Sequence, residues 1–279
     1  MTWSRLGHVY APDGSLPWAR SYAANPVAEH IEGDLFRIYF STRDEKNRSS
    51  VGFVEIDIAK PGKILRVADQ PILTPGDLAM FDDSGASIGC ITKVGDKRYL
   101  YYMGWHLTVS VPWQNAIGLA ISTEANGPFM RHARFPVFPL GEDDPYTISY
   151  PWVSIENGKF RMWYGSNIAW GPVKEDMRHL IKYAESHDGI HWTSNNQIAI
   201  GFSGSVCAVI CQISGCAASR SLRLVSEAKP ASGRWNSLPR LFRVIRSQSR
   251  VRGTPKSQLK VFRLPEPQLC TKPAGFPSS

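Results

Sequence analysis

The sequence predicts an all-β protein of the β-propeller type, and three observations predict it. One phrase occurs three times: "LFRIYFSTR" at 35–43, "RYLYYMGWH" at 98–106 and "KFRMWYGSN" at 159–167. Phe36, Tyr99 and Phe160 fall in register, with spacings of 63 and 61. Each phrase follows an apolar or alternating run and a tight turn ("EGD", "VGDK", "ENGK"), the Gly, Asp and Asn chemistry of a β-hairpin. A fixed period of this kind marks a solenoid, propeller or array. Four antiparallel strands per period favour the propeller.

The elements follow in the same order in each unit. The first strand reads "NPVAEHI", "ASIGCITK" and "YPWVSI". The shared phrase is the second strand. Its large residues alternate, Phe160, Met162 and Tyr164 against Arg161 and Trp163, as suits a strand packed between neighbouring blades. After a variable loop comes a third strand: "SVGFVEIDI", "AIGLAISTE", "LIKYAESHD". A second turn ("KPGK", "EANG", "HDG") leads to a fourth strand: "QPILT", "FPVFP", "NQIAI". The period is longer than that of WD repeats, and the Gly-His…Trp-Asp signature is missing.

The 279 residues suffice for one large or two ordinary domains. With 43% hydrophobic and 20% charged residues, the composition is that of a globular protein. No run of about 18 apolar residues occurs, so no membrane partner is expected. The start "MTWSRLGHVYAPDG" lacks a basic segment followed by an apolar run, and the expected location is cytoplasmic. No Cys/His cluster has ligand spacing, and there is no Gly-rich phosphate loop or nucleophile elbow. No metal or cofactor is therefore expected.

Five stretches carry a resemblance: "RIYFSTRDEKNRSSVGF", "FDDSGAS", "EDDPY", "KFRMWY" and "KYAESHDGIHW". In this order they resemble the five-bladed β-propeller glycoside hydrolase superfamily of arabinanases, xylosidases, invertases, levansucrases and mannoside phosphorylases. The nearest likeness is to predicted glycosyl hydrolases of bacterial polysaccharide loci. The resemblance covers residues 3–200. It implies a five-bladed propeller with three blades recognisable here, and a glycosidase acting on a bacterial oligosaccharide or surface polysaccharide. A non-catalytic carbohydrate-binding propeller and a glycoside phosphorylase are the alternatives. The partner expected is a carbohydrate, not a nucleic acid, and the oligomeric state is open.

In that superfamily the loops before strand one and between strands two and three lie on the top face. The rule gathers carboxylates and tryptophans on one rim: Asp13; Asp82 and Asp83 of "FDDSG"; Glu142, Asp143, Asp144 and Tyr146 of "EDDPY"; Arg43 and Asp44; Trp105, His106 and Trp113; Trp170, Glu175 and Asp176. Glycosyl transfer needs one carboxyl as acid, one carboxylate as base or nucleophile, and aromatic faces for a sugar ring. Asp44, Asp83 and Asp144 are the candidate catalytic groups. Arg43, Asp82, Trp105, Tyr146 and Trp170 are the candidate substrate-binding groups, the two tryptophans as exposed loop aromatics. Equally, Asp-Asp before a strand is ordinary turn chemistry, Arg43 can simply pair with a carboxylate, and Glu185 reads as structural. Two departures matter. Where many members have Asp-Pro in the first inner strand, this chain has Asn25-Pro26. Where many have Glu-x-Pro in the third blade, it has Ser149-Tyr150-Pro151.

Beyond residue 200 the text changes. Residues 1–200 hold 19 Lys+Arg and 22 Asp+Glu, a net of −3, and residues 201–279 hold 13 and 2, a net of +11. The tail has no Tyr, Asp, His or Met, but 13 Ser, 9 Arg and four of the five Cys. Two domains follow: 1–200, blades 1–3, and 201–279, a basic tail of low order. A basic arm for nucleic acid is the minor alternative. Cys207, Cys211 and Cys216 fit no zinc spacing. The expectation is a reading-frame disruption near residue 202, leaving blades 1 and 3 with open edges.

Overall fold

The computed structural model of the protein describes residues 4–124, 126–170, 177–201, 222–226 and 259–263, and every regular element among them is a strand. After β1 (Ser4–Tyr10), blade 1 comprises β2 (Ser21–Glu32), β3 (Leu35–Arg43), β4 (Ser49–Asp57) and β5 (Ile64–Val67). Blade 2 comprises β6 (Gly85–Val94), β7 (Lys97–Leu107), β8 (Trp113–Ser122) and β9 (Met130–Arg131). Blade 3 comprises β10 (Thr147–Glu156), β11 (Lys159–Ala169), β12 (Arg178–Ser186) and β13 (Trp192–Ile200). Successive strands within each blade pair antiparallel. The arrangement is a β-propeller.

Each blade opens with a two-residue hairpin. In blade 3 both loop residues, Asn157 and Gly158, have positive φ (53° and 74°), as a primed turn requires. The fourth strands differ from expectation. "NQIAI" lies within the nine-residue β13, but "QPILT" and "FPVFP" each contribute only one isolated bridge, Leu73 to Val51 and Phe138 to Ile117. Pro71 and Pro75 flank the first bridge, Pro136 and Pro139 the second. Proline lacks the N–H that would extend a ladder.

The alternation of the second strands builds the core. Phe40, Ile88, Leu100 and Tyr102 join the cluster between blades 1 and 2, and Tyr99, Tyr101, Phe160, Met162 and Tyr164 the one between blades 2 and 3. Blades 1 and 2 touch as sheets at a single parallel pair, Ser49 with Gly85.

Within the tail, β14 (Leu222–Ser226) and β15 (Leu259–Arg263) are strands. β15 pairs antiparallel with both β1 and β14, and β14 lies beside β2. The tail thus adds two strands next to the blade 1 edge that the sequence reading leaves open. Cys207, Cys211 and Cys216 lie outside the described residues, as do Glu175 and Asp176.

Candidate functional site

The second strands reach the top face at equivalent points. The structure shifts the second repeat by one residue from the sequence register of Phe36, Tyr99 and Phe160: β3, β7 and β11 begin at Leu35, Lys97 and Lys159, so that Phe36 corresponds to Arg98 rather than Tyr99. In this register Arg43, Trp105 and Asn167 hold the same place, and each pairs with the first residue of its inner strand: Ser21, Gly85 and Thr147. Gly85 decides what happens in blade 2. Its φ is +150°, and a Cβ there would lie 2.2 Å from Ser49 Oγ and 2.7 Å from Trp105 Nε1. Without that Cβ the indole folds across the inner strand, and its Nε1 donates to Ser49 Oγ at 2.6 Å. The sequence reading makes Trp105 an exposed loop aromatic. It instead lies within β7 and is only 7% exposed, because Gly85 makes room for it.

The Arg43 guanidinium carbon sits 4.6 Å from the centre of a Trp105 ring, a cation–π contact. Its Nη1 donates to the Asn47 carbonyl at 2.9 Å. Burial draws its pKa below the ordinary arginine value, while Tyr150, Tyr22 and Asp44 act in the opposite direction. Among the described residues no carboxylate bonds it: the Asp44 oxygens take Arg48 N at 2.8 Å and Arg48 Nε at 3.0 Å. The result is a partly buried cation on an aromatic face, with donors to spare.

The backbone around this cation is strained. Tyr22 (φ 69°), Asn25 (52°) and Tyr150 (49°) are left-handed, at bulges of the inner strands β2 and β10. That conformation costs a non-glycine residue about 1–2 kcal/mol, and such outliers gather at functional sites.

The nominated carboxylates divide into two kinds. Asp82 and Asp144, equivalent positions of blades 2 and 3, are 2% and 4% exposed and play the same part. Asp82 accepts from Tyr102 Oη at 3.1 Å and pairs with Arg131 at 2.8 Å. Asp144 accepts from Tyr164 Oη at 2.9 Å and Ser166 Oγ at 2.5 Å, and pairs with Lys182 at 2.9 Å. Each carboxylate anchors the start of its blade to the second strand and to a cation further along. In blade 1 the corresponding positions hold Arg20 and Phe40, which cannot form this bond. Asp83 differs. It is half-buried and takes only neutral donors, Ala79 N at 3.1 Å and Ser84 Oγ at 2.8 Å. Ser84 N in turn donates to the Trp105 carbonyl at 3.1 Å, which places Asp83 beside the Trp105 strand.

Glu142, Asp143 and Tyr146 are exposed. Trp170 is half-buried rather than exposed and stands edge-on to Trp113 at 5.6 Å. Glu185 accepts from Tyr183 Oη at 2.6 Å and pairs with Lys159 on the outer part of blade 3. Sequence reasoning missed Tyr22, Tyr150 and Asn167. For Asn167 a signal was present, its place at the end of the repeated phrase, which matches that of Arg43.

No protein-family profile matches the chain. Among solved structures it is similar to the BT0996 RGII complex (TM-score 0.57, 15% identity, 98% of this chain and 77% of that one). It is also similar to a structure named glycoside hydrolase (TM-score 0.56, 14% identity, 96% and 76%). A third is from work on the GH130 family of mannoside phosphorylases, which contains glycoside hydrolases that target β-1,2 mannosidic linkages in Candida mannan (TM-score 0.50, 14% identity, 71% of this chain). The chain spans only 60% of that structure's length, and 62% of the length of two similar structures from Bacteroides species. At such identities the likeness is one of fold, the β-propeller. Two curated relatives from Mycobacterium tuberculosis, the uncharacterized proteins MT1551 and Rv1502, are each 54% identical over 212 residues, 76% of this chain and 71% of theirs. At that identity and coverage, the chain belongs to the family of MT1551 and Rv1502.

Proposed function

We propose that this is a glycoside hydrolase-like protein that holds a bacterial oligosaccharide or surface polysaccharide at the top centre, against Arg43, with the buried Trp105 as its support. The observation that carries the reading is the Arg43–Trp105 stack, a partly buried guanidinium with unspent donors set among strained inner strands. In the hydrolytic reading Asp83 is the proton-transfer group, because its partners are neutral and leave its charge uncompensated. Asp44 is the second carboxylate, released from the exposed Arg48 when substrate enters. Asp144 is the least available of the three, since Lys182 and two hydroxyls already hold it.

The test is release of reducing sugar from bacterial polysaccharides and aryl glycosides, with and without added phosphate. The hydrolase reading expects phosphate-independent release that Asp83→Asn lowers by about 100-fold or more. Release that depends on phosphate moves the protein to the phosphorylase reading, with Arg43 meeting the phosphate. A non-catalytic binding role is the second reading, favoured by Asn25 and Ser149 standing where a base and an acid are needed. Binding that survives both Asp44→Asn and Asp83→Asn, with no turnover in any form, selects it.

The same proposal divides the chain at residue 200 and attributes 201–279 to an out-of-frame text. Its support is the composition change, together with a mycobacterial match that takes in 212 of the 279 residues. Translating the gene past codon 202 in the other two frames tests it. Reappearance of "WY"- and "YAES"-like phrases is expected, and two meaningless frames refute it.

A further inference from the structure

Three arginines shielded from solvent lie on an aromatic ring and close on a carboxylate. Arg37 sits over Phe53 at 4.7 Å, and its Nε and Nη2 both reach Glu55 Oε1, at 2.9 and 2.7 Å. Arg131 sits over Tyr102 at 5.8 Å and meets Asp82 Oδ2 through Nε at 2.9 Å and Nη2 at 2.8 Å. Arg98 sits over Phe129 and pairs with Glu29. Arg43 has the ring, Trp105, but no acid. The register shows why. Arg37 faces Glu55 across the β3–β4 pair, whereas Arg43 faces Ser49, whose Oγ already accepts the Trp105 indole. The neighbouring Asp44 is committed to Arg48. The Nη1 bond to the Asn47 carbonyl and the stack on the indole hold the Arg43 guanidinium in one orientation. That leaves its Nε–Nη2 edge, the one Arg37 and Arg131 use, without a partner among the described residues. Arg98 Nε and Arg161 Nε are sealed from water and unbonded, but no atom of the half-buried Arg43 is, so its unbonded donors reach solvent.

We propose that the open Nε–Nη2 fork of Arg43 binds the carboxylate of an acidic sugar residue, so that the saccharide held at the top centre is a uronate-bearing one. The proposal rests on the carbohydrate reading above and names its substrate class. A guanidinium fork matches the two oxygens of a carboxylate, and such charge-assisted pairs are the strong ones. Because this guanidinium is partly withdrawn from water, the pair gains more than one on the open surface. Charge balance favours a monoanion. Asp44 and Arg48 cancel, so Arg43 contributes a single net positive charge, which a carboxylate matches and a phosphate dianion exceeds. Tyr22 and Tyr150, on the strained inner strands, lie within electrostatic reach of the same guanidinium.

The test is thermal-shift titration of the full chain with methyl glucuronide and methyl galacturonide, each against its neutral methyl glucoside or galactoside, and with inorganic phosphate, all at matched ionic strength. At least one uronide is expected to raise the melting temperature by about 2–4 °C, and its neutral counterpart to need about ten times the concentration for the same rise. Arg43→Lys keeps the charge but not the fork and should weaken uronide binding about tenfold, and Arg43→Met should abolish the preference for acidic over neutral sugar. Each variant is compared with its own ligand-free melting temperature, and Arg43→Lys keeps the test decisive if Arg43→Met does not fold. Acidic and neutral sugars that bind equally, or a uronide response that Arg43→Lys leaves unchanged, overturn the proposal while the carbohydrate reading stands. Phosphate that stabilises more than either uronide also overturns it and moves the fork to the phosphorylase reading. If no sugar stabilises the wild type, the proposal falls, and the reducing-sugar assay above decides the carbohydrate reading on its own.

Discussion

The two interfaces between blades are made from the same repeated phrase, yet they are held differently. Between blades 1 and 2 the clamp is ionic. Arg98 Nη1 donates to Glu29 Oε2 and Tyr39 Oη, both at 3.1 Å, its Nη2 to the Gly127 carbonyl at 3.0 Å, and its guanidinium carbon lies 4.7 Å from the Phe129 ring centre. Between blades 2 and 3 the links are neutral. Tyr101 Oη donates to the Gly189 carbonyl at 2.8 Å, Thr92 Oγ1 to the Val153 carbonyl at 3.1 Å, and Val153 N to Cys90 Sγ at 3.2 Å. Burial there pushes the Cys90 thiol up to about 12, so it stays protonated and acts as an ordinary packing group. The difference teaches that the period specifies strand geometry and leaves the chemistry of each interface free. What blades 2 and 3 share is the Asp–Tyr–cation anchor.

The largest expected effect breaks that shared element. Asp144→Ala leaves the Lys182 ammonium, 4% exposed, without its counter-charge, and should cost roughly 3–5 kcal/mol in a urea titration. Asp82→Ala should cost less, because its partner Arg131 is 26% exposed and can turn to water. Equal and negligible losses in both would show that the anchors are ornamental. The next two changes sharpen the contrast between interfaces. Arg98→Met removes the ionic clamp and should cost about 2–3 kcal/mol. Tyr101→Phe removes one neutral bond and should cost about 1 kcal/mol. A larger loss for Tyr101→Phe than for Arg98→Met would reverse the account of which interface depends on polar bonds.

Much of the fold is legible because its signals are local. Asn157-Gly158 writes its own turn, and Phe160, Met162 and Tyr164 write their own buried face. The broken fourth strands are legible in principle from Pro71, Pro75, Pro136 and Pro139, whose missing donors outweigh the apolar pattern around them. The site is less legible because its roles are set by distant residues. Asp144 reads as a free carboxylate until Lys182, far along the sequence, folds onto it. Trp105 reads as exposed until Gly85, on the neighbouring strand, supplies the space. Arg43 and Asp83 are nominated from loop position alone; Arg43 is the last residue of β3, and Asp83 takes two neutral donors. Asn167 escapes notice because an asparagine at a strand end resembles turn punctuation.

The pairing of β1 with β15 bears on how the chain is made. Ser4 pairs with Arg263, so β1 finds its partner beyond all three blades in the sequence. At about 5–20 residues per second, the first strand leaves the ribosome roughly 10–50 s before that partner exists. During that interval the three blades can form in order, each on its local hairpins, while the N-terminal strand waits with an open edge. Joining β15 to β1 then follows synthesis of all three blades, and a ribosome that stalls before codon 259 releases a chain whose β1 still lacks this partner.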